Sequence, residues 1–370
     1  MAMLAFALRL IRQYLLRCES LLTLLAVYLL WAYVRWLAAP SSRGSRGALF
    51  AGPEGRALNE AIIRHATSAP TVATHWQSVG LLQLQPDITG RSFAYSGRNV
   101  VFYAAQGVRE SMEDRMMVIW DTGQFPDRPP IQAFAIYDGH GGQSVANYLE
   151  STFLQSLLLR IRASEAADQS RLNISQILTA QILEADEKIL AQSGGQAEIV
   201  GSTLVCGVLY GERWLTMGNV GDSRAVYAAQ GSAANLTRDH KPAQTEERER
   251  IESAGGSVEF YGVWRVNGIL AMSRSIGDGA LKRLRVLNAQ PDVASYDLTK
   301  NNWDFLILAS DGLWDVVSPE EAVDVIESAK DRSEALKNLT NLAINRLCMD
   351  NVSILVVDLP KSRNMDDEIK

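Results

Sequence analysis

From about Phe93 onward the chain is laid out as short apolar runs separated by polar punctuation. NVVFYAAQG (99–107), MMVIWD (116–121), IQAFAIYD (131–138) and STLVCGVLY (202–210) are rich in β-branched and aromatic residues and read as strands. So do WLTMGNVGD (214–222), RAVYAAQG (224–231), NWDFLILASD (302–311) and NVSILVVDL (351–359). Several are apolar without alternation, the pattern of strands covered on both faces. Two longer stretches carry the 3.6-residue period instead. Over 144–163 it runs through Val145, Tyr148, Leu149, Phe153 and Leu157, and over 173–192 through Ile174, Leu178, Ile182, Ala185 and Ile189. Ser318-Pro319-Glu320-Glu321 is a capping box with proline at the first helical position, and opens a helical region reaching 346. Helices in pairs between long β runs predict an α+β fold of sheets covered by helices, rather than strict βαβ alternation.

Ahead of Phe93 the pattern differs in kind. Leu21 to Val34 is unbroken by charge, with Arg9, Arg12 and Arg17 before it and Arg35, Arg43 and Arg46 after. If Arg35 snorkels, the apolar segment extends to Ala39 and reaches the roughly 17–25 residues a membrane span needs. Trp31, Tyr33 and Trp36 suit an interfacial belt. The expectation is a retained hydrophobic anchor over 1–40. A signal peptide and an Arg-rich mitochondrial presequence are the alternatives. Residues 41–92 divide into a Gly/Ser/Arg/Pro-rich linker and a stretch without assignable period, 93–359 form the main folded domain, and 360–370 a polar tail.

Composition narrows the chemistry. A net charge of −6 gives no reason to expect a nucleic-acid partner. The three cysteines, Cys18, Cys206 and Cys348, form no CxxC pair, which argues against a disulfide framework or zinc site. With only four histidines, a catalytic metal would have to be held mainly by oxygen.

The oxygen ligands have obvious candidates. Apolar runs end or begin at acids beside Gly or Asn: Asp138-Gly139, Gly221-Asp222, Asp311-Gly312 with Asp315, and Asp350-Asn351; Glu113-Asp114 lies between two predicted strands. Any one of them alone reads as a turn. Together, following buried-type runs, they would be collected by one face of the sheet, where converging carboxylates must raise their pKa values or hold cations. Oxygen-only ligation selects hard ions, Mg2+ or Mn2+, and two such ions are a known device for hydrolysing phosphate esters. Gly139 could turn its carbonyl toward an ion, Arg109 could fork onto phosphate oxygens, and His140 could protonate a leaving alkoxide.

In order and spacing, QGVRESMEDR, DGHGG, GSTLVCGVL, NVGDSRAV, DHKP, ERERIESAGGSV, VNGILAMSRSIGD, LILASDGLWDVVS and DNVSILVV resemble the metal-dependent type 2C serine/threonine protein phosphatases. FYGVWRVNGILAMSRSIGDGALKRL, with the N-terminal segment, resembles a membrane-anchored, endoplasmic-reticulum member of that family. The resemblance implies a four-layer α-β-β-α sandwich of two antiparallel sheets flanked by helices. It implies a binuclear Mg2+ or Mn2+ centre, with Asp138 bridging, Glu113 and the Gly139 carbonyl serving one ion, and Asp311 and Asp350 the other. Asp222 and Asp315, with Asp311, match a weaker third metal site. Arg109 matches the phosphate-binding arginine, His140 the general acid, and Asp114 and Asp278 supporting acids. The implied reaction is attack of metal-activated hydroxide on phosphoserine or phosphothreonine in protein substrates, with no phosphoenzyme and a monomeric catalytic domain. The segment after Asp278, with Lys282, Arg283 and Arg285, falls where the family carries its substrate-facing flap. The expected location is a membrane, single-pass, at the endoplasmic reticulum with the catalytic domain cytosolic; the alternative is mitochondrial. Two other functions stay open from the residues: a membrane-tethered phosphoprotein adaptor without turnover, and a two-metal nuclease, which the net charge disfavours.

Overall fold

The computed structural model describes residues 76–121 and 128–360. The expected anchor, the linker to residue 75 and nearly all of the polar tail lie outside those residues. Among the described residues no helix is long and apolar enough to cross a membrane.

The chain begins with strands β1 (Trp76–Gly80), β2 (Ser92–Gly97), β3 (Val100–Ala105), β4 (Arg115–Asp121), β5 (Ile131–Tyr137) and the two-residue β6 (Gly139–His140). Helices α1 (Ser144–Asp168) and α2 (Ile174–Gln192) precede β7 (Gly201–Ser202), β8 (Leu204–Tyr210), β9 (Trp214–Val220), β10 (Arg224–Ala229) and β11 (Ser232–Asn235). Next come α3 (Thr245–Ser253), the hairpin β12 (Val258–Tyr261) and β13 (Val263–Val266), β14 (Ile276–Gly277) and α4 (Gly279–Arg283). The last elements are β15 (Asp292–Asp297), β16 (Phe305–Ala309), α5 (Asp311–Trp314), α6 (Pro319–Ser328), α7 (Arg332–Asn345) and β17 (Val352–Asp358).

Two six-stranded antiparallel sheets result, in the orders β1-β4-β5-β8-β9-β15 and β11-β10-β16-β17-β3-β2. Side chains alternate across each strand, so one strand feeds two cores. In β4, Met116, Val118 and Trp120 point between the sheets, where they meet Phe102, Leu306 and Leu355, while Met117 and Ile119 face α1 and α2. On the other sheet, Ile307, Ile354 and Val356 pack beneath α6 and α7. The four-layer expectation therefore holds, and the unalternating apolar runs are explained by burial on both faces. The helical period of 144–163 continues five residues further, to Asp168. Asn173 caps α2 by accepting the Gln176 N–H, and Ser318 and Glu321 close the predicted capping box.

The boundary at residue 93 moves. β1, inside the stretch without assignable period, pairs with β4 as an edge strand. Only Gly80 of its five residues is fully buried, so it carries little hydrophobic signal. The edge strands β2, β11 and β15 and the exposed β12–β13 hairpin escaped for the same reason.

One buried charge links α1 to the site. Glu150 is only 2% exposed; its Oε1 accepts the Leu82 N–H at 3.0 Å and its Oε2 lies 3.7 Å from Arg115 Nε. Arg115 in turn donates to the carbonyls of Met112 and Asp114, bracing the turn that carries Glu113. Burial raises the Glu150 carboxyl to about 7, against the opposing pull of the Leu82 N–H and Arg115. A folded-state pKa above the unfolded one means this group's stabilising contribution is complete below about 4.5 and is lost as pH rises through about 7. Glu150→Gln is therefore expected to gain stability over the wild type as pH climbs from 5 to 8, by an amount on the order of 3 kcal/mol. Thermal melts of both proteins across that range check this; a difference that stays flat with pH contradicts it.

A carboxylate cluster at the sheet ends

Antiparallel pairing explains why distant acids meet. Within the first sheet β5 and β9 end at the edge where β4 begins, which places Asp138, Asp222 and Glu113 together. In the second sheet β16 ends where β17 begins, which does the same for Asp311 and Asp350. The two edges open on one cavity of about 880 Å3, and eight of the nine predicted site residues line it. Asp222, the ninth, lies just behind, 1% exposed.

Close backbone approaches make this convergence possible. A Cβ on Gly312 would stand 1.9 Å from the Asn351 carbonyl oxygen, and one on Gly139 would stand 2.6 Å from that of Glu113. Without those side chains, Asp311 sits against the start of β17 and the 138–139 turn sits against the Glu113 turn. Asn351, which sequence reasoning did not single out, stitches the two sheets. Its Nδ2 donates to the carbonyls of Gln106 and Ser111, and its Oδ1 accepts the Glu113 N–H at 2.8 Å. The only hint in the sequence was the Asp-Asn pair itself.

The electrostatics are those of a cluster in which carboxylates outnumber cations. The Asp138 carboxyl is pushed well above its usual range, first by burial and then by repulsion from Asp114, Asp311, Asp222 and Asp350. Asp311 is raised by burial and by Asp222 and Asp315, with Lys241 pulling the other way. Burial likewise raises Asp114 to about 6, although Ser310 Oγ donates to its Oδ2 at 2.9 Å. Asp222 Oδ1 is buried without a hydrogen-bond partner. Carboxylates held together at this cost, an orphaned carboxylate oxygen and a glycine carbonyl turn with no room for a side chain fit hard divalent cations. The side chains do not already form a finished cage: among the described residues no group of three His, Cys, Asp or Glu has the spacing of a bound ion. Two of the protein's own cations hold two of the acids. Arg109 Nη2 donates to Asp350 Oδ2 at 2.5 Å and its Nε to the Met349 carbonyl at 2.9 Å. Lys241 Nζ donates to Asp222 Oδ2, also at 2.5 Å. Lys241 lies in the DHKP block and was not singled out from sequence; its ammonium lines the cavity, where Asp222, Asp311 and Asp315 raise its pKa against the lowering effect of burial.

His140 lines the same cavity, with Nε2 2.7 Å from Asp278 Oδ2 and Nδ1 buried without a partner. The expectation for Lys282, Arg283 and Arg285 fails. None of the three lines the cavity. Lys282 is bound to the buried Asp186, and Arg283 to Glu198. The wall facing the carboxylates is instead the β12–β13 hairpin, with Phe260 and Trp264 in edge-to-face contact at 5.2 Å and both exposed.

Comparison with known proteins agrees with the geometry. The sequence profile described as protein phosphatase 2C matches residues 98–352, from the start of β3 to the start of β17. Protein phosphatase 1L of Bos taurus is 40% identical over 281 residues, covering 75% of this chain and 77% of its own. The probable protein phosphatase 2C 45 of Oryza sativa subsp. japonica is 39% identical over 271 residues, covering 73% and 91%. Among solved structures, the serine-threonine phosphatase 2C from Toxoplasma gondii superposes with a TM-score of 0.64 at 23% identity, over 77% of this chain and 99% of that one, and so shares the fold. Taken with the paired sheets and the acids at their ends, a match of this extent makes the chain a member of the protein phosphatase 2C family, a serine/threonine protein phosphatase.

Proposed function

We propose that the protein is a Mg2+- or Mn2+-dependent phosphatase of phosphoserine and phosphothreonine in proteins, with catalysis at the carboxylate cluster. The observation that carries the reading is the meeting of Glu113, Asp138, Asp311 and Asp350 on one cavity from four strand ends of two different sheets. Asp138 with Glu113 and the Gly139 carbonyl would hold one ion, and Asp138 with Asp311 and Asp350 the second; Asp222 and Asp315 belong to a weaker third position. When bound, such ions polarise the phosphoryl group and make water a better nucleophile at neutral pH.

The chain's own residues supply the rest. Water adds to phosphorus as the ester P–O bond breaks, and His140 delivers a proton to the departing serine oxygen, so the products are inorganic phosphate and the free hydroxyl. Arg109 forks onto the phosphoryl oxygens once it leaves Asp350. Cation binding at Asp350 and phosphate binding at Arg109 are then two halves of one exchange, since each takes one member of the same ion pair. Phe260 and Trp264 offer an apolar wall to the chain that flanks the phosphorylated residue.

The test is phosphate release from a phosphoserine peptide. With millimolar Mn2+ the purified protein is expected to turn over the peptide many times per molecule, and EDTA to stop it. Stoichiometric binding without release favours an adaptor and overturns the reading.

The N-terminal apolar segment supports tethering to a membrane; the endoplasmic reticulum, a cytosolic catalytic domain and a monomeric state are proposed on the family resemblance. Asn235 and Asn338 head acceptor sequons and are exposed, so they report orientation. Glycans at either position place the domain in the lumen and contradict the topology.

A further inference from the structure

His140 is placed by a three-stranded ladder of very short strands. β6 pairs with β7, setting His140 opposite Gly201, and β7 pairs with β14, setting Gly201 opposite Gly277. Gly201 is therefore the floor between His140 and Asp278. A Cβ there would stand 2.1 Å from Asp278 Oδ2 and 2.5 Å from His140 Nε2. Only a glycine lets the carboxylate reach across to the imidazole.

Asp278 is held in an unusual pose to do this. Its φ of 51° is left-handed, a region that costs a non-glycine residue roughly 1–2 kcal/mol. Ser275 Oγ donates to its Oδ2 at 2.5 Å, and its own N–H donates to the Val200 carbonyl at 3.1 Å. Behind the turn stands Asp186 of α2, which is 8% exposed. Asp186 Oδ1 accepts the Gly277 N–H at 2.8 Å and the Lys282 ammonium, while the Lys282 N–H donates to the Asp278 carbonyl at 3.2 Å. The Asp186 carboxylate thus holds the backbone at Gly277, just before residue 278, and the Lys282 ammonium fixes that carboxylate, while the Lys282 main-chain bond closes the first turn of α4 over Asp278. Packing alone gives no reason to bury two charges here, because apolar side chains of similar volume would fill the space without the desolvation cost. What the pair does fix is the Gly277–Asp278 backbone, and with it the carboxylate on His140.

We propose that Asp278 orients the His140 imidazole, and that Asp186, through Gly277 and Lys282, holds Asp278 in its left-handed pose. Both are positioning residues for proton delivery to the leaving oxygen. The proposal rests on His140 being the acid.

Leaving-group dependence tests it, because an alkoxide needs the proton and an aryl oxide scarcely does. Full-length Asp278→Asn, Asp186→Asn and Lys282→Met are compared with wild type and His140→Ala in saturating Mn2+. The substrates are a phosphoserine peptide and p-nitrophenyl phosphate. The ratio of peptide to aryl-phosphate kcat is expected to fall about ten- to a hundred-fold in Asp278→Asn, a share of the 10²–10⁴ that general acid catalysis contributes. A fall of roughly three- to ten-fold is expected in the other two, on kcat rather than on KM. Lys282→Arg, which keeps the ion pair, restores the ratio. Equal losses on both substrates, or a loss confined to KM, show a merely structural role and overturn the proposal. If the ratio is unchanged in His140→Ala, the acid assignment itself falls. If His140→Ala moves the ratio while Asp278→Asn and Asp186→Asn do not, the acid stands and only the positioning relay is wrong.

Discussion

Replacing Asp311 by asparagine is expected to lower Mn2+-supported hydrolysis of a phosphoserine peptide about a thousand-fold or more, a loss of roughly 4 kcal/mol of transition-state stabilisation. The change keeps shape and volume and removes one charge from the middle of the cluster. Asp311 follows β16, at the point where Gly312 lets the chain press against Asn351, which fixes the backbone that carries its carboxylate. A unit charge about 4 Å from a cation is worth about 4 kcal/mol per charge pair at an effective dielectric near 20, so losing it should cost ion affinity severely. The same charge has the opposite effect on the metal-free fold. Burial and the repulsion of Asp222 and Asp315 raise the Asp311 carboxyl well above its usual range, so at neutral pH the ionised form is held at a cost that asparagine does not incur. In EDTA, therefore, Asp311→Asn should melt higher than the wild type. On adding Mn2+ the wild type should gain stability and the variant little, so their order narrows or reverses. A general misfolding effect would lower both melting points together. Wild-type turnover in the variant, or an undiminished Mn2+-induced rise in its melting temperature, would remove Asp311 from the ion-binding set.

How much of this was legible in the sequence follows from burial. The central strands, doubly covered, carry continuous apolar runs, and each of the eight runs read as strands contains one. The acids at their ends could be identified because Asp beside Gly or Asn is conspicuous after such a run. Their convergence is a property of antiparallel pairing, which no single segment contains, and the family resemblance supplied it. Three things did not show. The edge strands bury too little to break from loop composition, as β1 illustrates with one buried residue in five. The apolar hairpin beside the site has its large side chains exposed, so its burial pattern resembles neither a core strand nor a solvated loop. The basic run Lys282-Arg283-Arg285 looked available for a phosphorylated ligand, yet Lys282 and Arg283 are engaged by Asp186 and Glu198, which precede it by about ninety residues. Charge in sequence shows that a cation is present; only the fold shows whether an anion already holds it.

The largest effect on stability is expected far from the site. Arg162 of α1 is 3% exposed and donates to Asp121, to Glu165 Oε2 at 2.7 Å and to the Pro129 carbonyl at 2.9 Å. Asp121 ends β4, whose other end begins beside Glu113, so seven residues of strand separate this cluster from the catalytic edge, roughly 20 Å. Arg162→Met keeps most of the stem volume but leaves two buried carboxylates without the guanidinium, and removing one partner of a buried ionic group typically costs about 3–5 kcal/mol. For a domain of this size that is a fall in melting temperature of roughly 5–8 °C. Activity per folded molecule should be retained, since β4 stays paired on both sides by β1 and β5. The physical cause can be separated from simple loss of packing by removing the carboxylates as well. Arg162→Met with Asp121→Leu and Glu165→Met takes away Arg162 and both of its carboxylate partners, while the half-exposed Arg128, 3.9 Å from Glu165, remains. The triple variant should recover much of the single variant's loss, because the penalty lies in buried carboxylates that have lost the guanidinium. The recovery stops short of complete, since Tyr210 Oη loses its 2.7 Å acceptor on Glu165. Urea denaturation of the three proteins decides the matter: a single variant within 1 kcal/mol of wild type, or a triple variant no more stable than the single, would show that the charges in this cluster are not what Arg162 stabilises.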